Sequence, residues 1–207
     1  TQSWTNPMYP QWQGDDITAN PGSNKQACAA LDAFASDGAN KGVTDAWNQH
    51  YSVIKAANLI TESASKAPVA QEKINVALGN AHFWRAYAYY YLVRVFGPVP
   101  LITGTDVSQL DVAPSSVKDV YELIVSDLKA AVNELPTKYE KEPSRLFGVD
   151  VWTTKQAAQA TLSAVYMSMA GYPLNMGTEY YKLAAEQAKS VIDNNGSYGL
   201  ILNPEWK

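Results

Sequence analysis

From Thr44 onward, apolar residues recur at three- and four-residue intervals through five successive segments, and glycine or proline marks most of the breaks between them. That pattern restricts this part of the chain to helices packed on helices. Thr44 reads as the first N-cap, with Trp47, Tyr51, Ile54 and Asn58 on one face. Val53, Ala57, Ile60 and Ala64 widen that stripe enough for two neighbours. The second segment, Val69 to Phe96, places Ile74, Ala77, Ala81, Trp84, Ala88, Tyr91, Leu92 and Val95 inward. Gly97 and Pro98 stop it, because glycine accepts the left-handed cap and proline cannot continue a helix.

The third segment opens on a Ser116/Asp119 capping box, is lined by Val120, Ile124, Leu128, Ala131 and Leu135, and ends at Pro136. The fourth starts at a Thr153 cap with Gln156 as return partner. Its small residues Ala157, Ala160, Ala164, Ser168 and Gly171 form a stripe that lets a neighbour approach closely. The fifth has Tyr181, Ala184, Ala188, Val191 and Ile192 inward and Gly196 as its cap. Helices are therefore predicted near 44–65, 69–96, 116–135, 154–171 and 178–195. Trp47, Tyr51, Ile54, Trp84, Leu92, Ile124, Leu128, Val165 and Ile192 are expected to be largely buried.

Residues 1–42 lack a sustained period and carry Pro7, Pro10, Gly14, Pro21, Gly22, Gly38 and Gly42, so loops dominate there. One short helix after Ser23 is predicted from a Ser23/Gln26 capping box followed by Ala27, Ala30, Leu31 and Phe34. Residues 97–114 and 136–153 read as long irregular connections. The fourth and fifth helices, joined through Gly171-Tyr172-Pro173, have the composition of a tetratricopeptide repeat. The predicted class is all-α: a tetratricopeptide-like helical repeat scaffold with long irregular loops.

Several function classes drop out. The net charge is −4 and the 16 basic residues form no run, which argues against neutralising a phosphate backbone. No apolar run is long enough to span a membrane. The lone Cys28 precludes an internal disulfide or a cysteine zinc site. His50 and His82 have no acidic or cysteine partner at ligand spacing, so no metal site and no cofactor are expected. Ser52-Val-Ile-Lys55 and Ser63-Ala-Ser-Lys66 match a four-letter catalytic pattern without its Lys-Thr-Gly companion, and no catalytic residue is assigned.

The chain has 13 Tyr and 6 Trp against 4 Phe, so most rings carry a polar handle suited to half-wet surfaces. The best candidate site follows from that. Trp12 lies three residues before Asp15-Asp16 in a loop, pairing an apolar platform with charged acceptors, and Asn40 in the Gly38–Gly42 loop adds a donor and an acceptor. Trp12, Asp15, Asp16 and Asn40 are the expected ligand residues. The same acids also suit a calcium ion or a solvated turn.

The order of motifs resembles the SusD/RagB family of surface nutrient-binding lipoproteins of Bacteroidota. Three stretches carry the likeness: Gly14-Asp15-Asp16 followed by Trp47, Tyr51, Ile54 and Asn58; Arg85-Ala86 and Tyr89 running into Phe96-Gly97-Pro98-Val99-Pro100-Leu101; and Thr154-Lys155 with Tyr180-Tyr181 and Tyr198-Gly199-Leu200. Family members are about twice as long or more. The resemblance therefore implies that residues 1–207 are the N-terminal portion of one SusD-like domain. Residues 1–42 would face ligand and partner, residues 43–207 would form the scaffold, and the C-terminal half and a lipid-bearing N-terminus would be absent.

The resemblance also implies a non-enzymatic glycan binder at the outer-membrane surface that delivers ligand to a SusC-like TonB-dependent transporter. Arg85 and Arg94 would be scaffold salt-bridge residues. A tetratricopeptide adaptor, a SusD-like peptide binder and an all-α glycosidase are the competing readings. For the last, no separated acid pair stands out.

Overall fold

The computed structural model describes residues 13–14, 16–19, 26–106, 111–140, 145–146, 149–150 and 152–194. Among the described residues, six helices carry the fold: α1 (Gln26–Asp32), α2 (Lys41–Ser63), α3 (Gln71–Phe96), α4 (Val117–Glu134), α5 (Lys155–Ala170) and α6 (Thr178–Asp193). A 3-10 turn, Ala64–Lys66, extends α2. The long connection after α4 holds a two-residue antiparallel pair, β1 (Arg145–Leu146) and β2 (Val149–Asp150), with Arg145 opposite Asp150. Every predicted helix is present within a few residues of its expected ends, including the short one.

From α2 to α6 each helix packs on the next, and α3 also meets α5. The pairs α3/α4 and α5/α6 are thus repeat units in which the first helices touch. The core runs through these helices as one cluster, with Ile54, Tyr89, Leu92, Ile124, Leu128, Leu162 and Val165 fully buried. Gly79 sets the closeness of α3 to the end of α4, because a Cβ there would lie 2.8 Å from the Leu135 side chain. Gly97 takes φ +73°, which is the reason the stop after Phe96 needs glycine.

The caps differ from the sequence reading at two places. Asn40, rather than Thr44, caps α2 through its side chain, and the Thr44 hydroxyl donates back to Asn40 O. Thr154, rather than Thr153, caps α5 by accepting from Ala157 N–H. Gln156 turns inward and donates to Asn194 O instead of closing a capping box. Ser116 caps α4 as predicted, accepting from Asp119 N–H and donating to the Asp119 carboxylate at 2.6 Å. Gly196 lies outside the described residues.

The burial expectations fail where a helix has a different number of neighbours than its composition suggests. Helix α3 is clasped by α2 and α4, so apolar residues nearly encircle it and no narrow stripe marks its inner side. Trp84, placed inward by the sequence reading, is 48% exposed, while Phe83, Arg85 and Ala86 are buried. Helix α6 packs on α5 alone among the described elements, through Tyr180, Leu183 and Ala184. Tyr181 and Ile192, both expected inward, are exposed, Ile192 at 72%. Helix α2 has one long neighbour rather than two, which leaves Val53 and Ile60 partly exposed.

The small-residue stripe of α5 is not its packing face either: Ala157, Ala160 and Ala164 are exposed. Close approach of α5 and α6 occurs at Ser163, whose hydroxyl donates to Ala184 O at 2.8 Å. Trp47 and Tyr51 are half-buried against the core, and Ile54, Leu92, Ile124, Leu128 and Val165 are buried as expected.

Candidate ligand-binding site

Of the four residues expected to touch ligand, Trp12 and Asp15 lie outside the described residues. Asp16 is exposed at the start of a short described stretch whose far end is anchored. Ala19 is buried and its N–H donates to Asp32 Oδ2 at 2.9 Å, tying the stretch to the end of α1. Helix α1 sinks Cys28 and Leu31 completely.

Asn40 then holds α1 against the start of α2. Its Nδ2 donates to Ala27 O at 3.0 Å and its Oδ1 accepts from Gly42 N–H at 2.8 Å. Gly42 permits the approach, since a Cβ there would sit 3.0 Å from Leu31 Cδ1. Both polar ends of the Asn40 amide are therefore engaged inside the fold. The residue joins α1 to the start of α2.

A second loop is fixed far more firmly, by Tyr51, Asn58, Arg85 and Tyr89. Arg85 pairs bidentately with Asp127 of α4, Nε to Oδ2 and Nη2 to Oδ1, both at 2.7 Å. Its Nη1 donates to Asn58 Oδ1 at 2.9 Å. Asn58 Nδ2 in turn donates to Ile102 O and Gly104 O in the 97–106 connection. Tyr51 donates to Pro100 O at 2.8 Å, and Tyr89 Oη accepts from Ile102 N–H at 2.7 Å. Glu62 accepts from both the backbone N–H and the hydroxyl of Thr105.

This relay joins α4, α3 and α2 to one loop, with every member satisfied. Burial pushes the Tyr51 hydroxyl well above the usual tyrosine range and the Tyr89 hydroxyl up to about 12, while the Thr105 bonds hold the Glu62 carboxyl below its ordinary value. Arg85 is thus the scaffold ion pair expected of it. Arg94 instead lies over the Tyr90 ring, 4.7 Å from its centroid.

The histidines are structural. His82 Nδ1 meets Glu134 Oε2 at 2.7 Å, a partner 52 residues away that no local spacing rule reaches. His50 stacks on Tyr91 at 3.9 Å, and its Nδ1 lies 2.6 Å from Ala46 O. Burial pushes the His50 pKa below its ordinary 6.5. The neutral ring is favoured in the fold, so the unfolded chain binds the extra proton first as pH falls. Stability is expected to decline once the pH drops below about 6.5. Thermal unfolding followed between pH 7.5 and 5.5 checks this: the decline should shrink in His50→Phe, and an identical decline in that variant would exclude His50 as its source.

Two surface features were not read from the sequence. Trp84 and Tyr87 stand exposed on α3 with their rings 5.8 Å apart, backed by buried Phe83. A groove of about 170 Å³ opens over α5 between α4 and α6, with Glu122, Lys129, Tyr166 and Tyr180 among its lining. Tyr180-Tyr181 was the available signal for the groove, but the expected register turned the wrong tyrosine inward. No helix among the described residues is long and apolar enough to cross a membrane.

Comparison with known proteins places this geometry. A SusD-like family model, described as starch-binding associating with outer membrane, matches residues 3–167. SusD-like protein P2 of Formosa agariphila is 32% identical over 174 residues, covering 82% of this chain and 31% of that protein. A SusD superfamily protein of Parabacteroides distasonis superposes with a TM-score of 0.73 at 28% identity, over 86% of this chain and 36% of that one.

Two further solved structures share the fold. One was determined with xylogluco-oligosaccharide (TM-score 0.77, 24% identity, 94% of this chain and 37% of that one). The other is a laminarin-binding SusD-like protein (TM-score 0.71, 22% identity, 88% of this chain and 36% of that one). The chain spans about a third of the length of the relatives it matches. With the Trp47-to-Asn58 face, the Arg85–Tyr89 core and the pinned Gly97–Leu101 loop all in place, the chain belongs to the SusD-like family.

Proposed function

We propose that this chain is the N-terminal scaffold portion of a non-catalytic glycan-binding protein of the outer-membrane surface. Residues 1–42 form the loop-rich segment and residues 43–207 the helical scaffold. In this reading the protein is held to the membrane by a lipid anchor upstream of the chain and delivers its ligand to a SusC-like TonB-dependent transporter. The family match over residues 3–167 carries the proposal. The relatives solved with xylogluco-oligosaccharide and with laminarin-binding character favour a glycan over a peptide. The satisfied relay from Asp127 to Ile102 suits binding rather than turnover, because it fixes a loop without leaving a polar group free to react.

Within this reading Trp12 supplies a ring for the C–H face of a sugar, and Asp15 and Asp16 accept from its hydroxyls. Asn40 holds α1 against the start of α2. The test is calorimetric titration of the full-length protein with laminarin and xyloglucan oligosaccharides, comparing wild type with Trp12→Ala and Asp16→Ala. Each variant is expected to weaken binding about tenfold with an unchanged circular dichroism spectrum. Unchanged affinity in both would remove the N-terminal loop from the site.

A further inference from the structure

The groove between α4, α5 and α6 is built from groups that the relay and the N-terminal loop do not use. Its floor is Met169 of α5 and Leu183 of α6, and the rings of Tyr166 and Tyr180 stand in T-shaped contact with centroids 5.9 Å apart. Tyr166 is only 3% exposed, yet its hydroxyl has no hydrogen-bond partner among the described residues. That hydroxyl keeps a small contact with solvent, and Tyr166 lines the groove. The Tyr180 hydroxyl likewise has no partner among the described residues.

The rim is charged. Glu122 and Lys129 lie seven residues apart on α4, about 10 Å along its axis. Glu122 has a single long contact to solvent-exposed Lys118, at 3.7 Å, and Lys129 has no ion pair among the described residues. Both rim groups are therefore available to a ligand at little cost in broken contacts.

We propose that this groove is a secondary carbohydrate subsite that takes one neutral pyranose ring. The inference rests on the glycan-binding reading above and adds a site away from the N-terminal loop. A volume of about 170 Å³ is below the ~300 Å³ of a drug-sized pocket, which limits the occupant to a single ring. An aliphatic side chain of a peptide would cover the two tyrosine hydroxyls without replacing their water, and that is unfavourable. A sugar meets both requirements, with its C–H face on the half-buried Tyr180 ring and its hydroxyls on the tyrosines, the carboxylate and the ammonium. The rim carries one charge of each sign, so a neutral sugar is favoured over an acidic one.

The full-length protein, labelled with 13C at its methionine methyl groups, is titrated with glucose, galactose, mannose and xylose into the high-millimolar range. The same sample is titrated with laminarin and xyloglucan oligosaccharides by calorimetry. At least one monosaccharide should shift the Met169 methyl resonance saturably while exposed Met167, which does not line the groove, stays fixed. Tyr180→Phe and Glu122→Gln should each raise that dissociation constant about tenfold. An unmoved Met169 signal in a protein that still binds oligosaccharide overturns the subsite and leaves the glycan reading standing. Failure to bind any sugar overturns both. A Met169 shift produced by N-acetyl-phenylalanine amide and by none of the sugars makes the groove a peptide site and also overturns the proposal.

Discussion

Replacing Arg85 with alanine is expected to cost about 3–5 kcal/mol. Arg85 is 7% exposed and Asp127 4%, and their bidentate pair sits between α3 and α4. Without the guanidinium, Asp127 is left as a buried carboxylate with no counter-charge. Asn58 Oδ1 also loses its donor, and Asn58 is the group that holds Ile102 O and Gly104 O. The damage therefore spreads from one helix pair to the 97–106 connection.

A double replacement, Arg85→Met with Asp127→Leu, should be less destabilising than either single change to alanine, because no charge is stranded. Urea unfolding of the three variants checks the order. A single-variant loss below about 1 kcal/mol would mean that the pair is solvated and that the relay does not hold the loop.

The second large effect is a contrast between two apolar residues. Ile124→Ala should cost about 2–5 kcal/mol, since Ile124 is fully buried at the centre of α4 and its removal leaves a cavity. Trp84→Ala should cost less than about 1 kcal/mol even though it deletes a larger side chain, because half of that ring already faces solvent. Its ring meets Phe83 and Tyr87 edge-to-face. Thermal unfolding of the two variants side by side settles the order, and a larger shift for Trp84→Ala would place α3 in a different register.

That contrast marks where the sequence was legible. Helix ends were readable because they depend on local chemistry: Ser116 before Asp119, Gly97 before Pro98, Pro136 after Leu135. Helix α4 was readable in both ends and face, and all five residues assigned to its inner stripe are buried. Helix α3 was readable in extent and not in orientation. Arg85 goes inward because Asp127, 42 residues later, meets it there, while Trp84 beside it goes out. On α6 the alanines at 184, 185 and 188 leave the phase ambiguous by about one residue. The inward tyrosine is Tyr180, not Tyr181, because α5 presents Tyr166 to it.

The candidate site divides in the same way. Residue types placed a ring and two acids in the N-terminal loop, and they placed Asn40 in the same loop cluster. The amide of Asn40 is engaged by Ala27 O and Gly42 N–H, contacts that exist only once α1 has folded back on α2. The motif residues Tyr51, Asn58, Arg85 and Tyr89 were recognisable as a pattern without a stated purpose. Their shared purpose is the pinned connection after α3, and it emerges when three helices and one loop converge on Ile102.

The central proposal is that the chain belongs to a protein that binds glycan without altering it. Incubating the full-length protein with laminarin and with xyloglucan oligosaccharides, then following both heat of binding and product chain length by chromatography, tests that claim directly. Saturable heat with at least one of the two and an unchanged oligosaccharide profile after prolonged incubation is the predicted result. Shortened oligosaccharides, or no binding heat with either glycan, would contradict it.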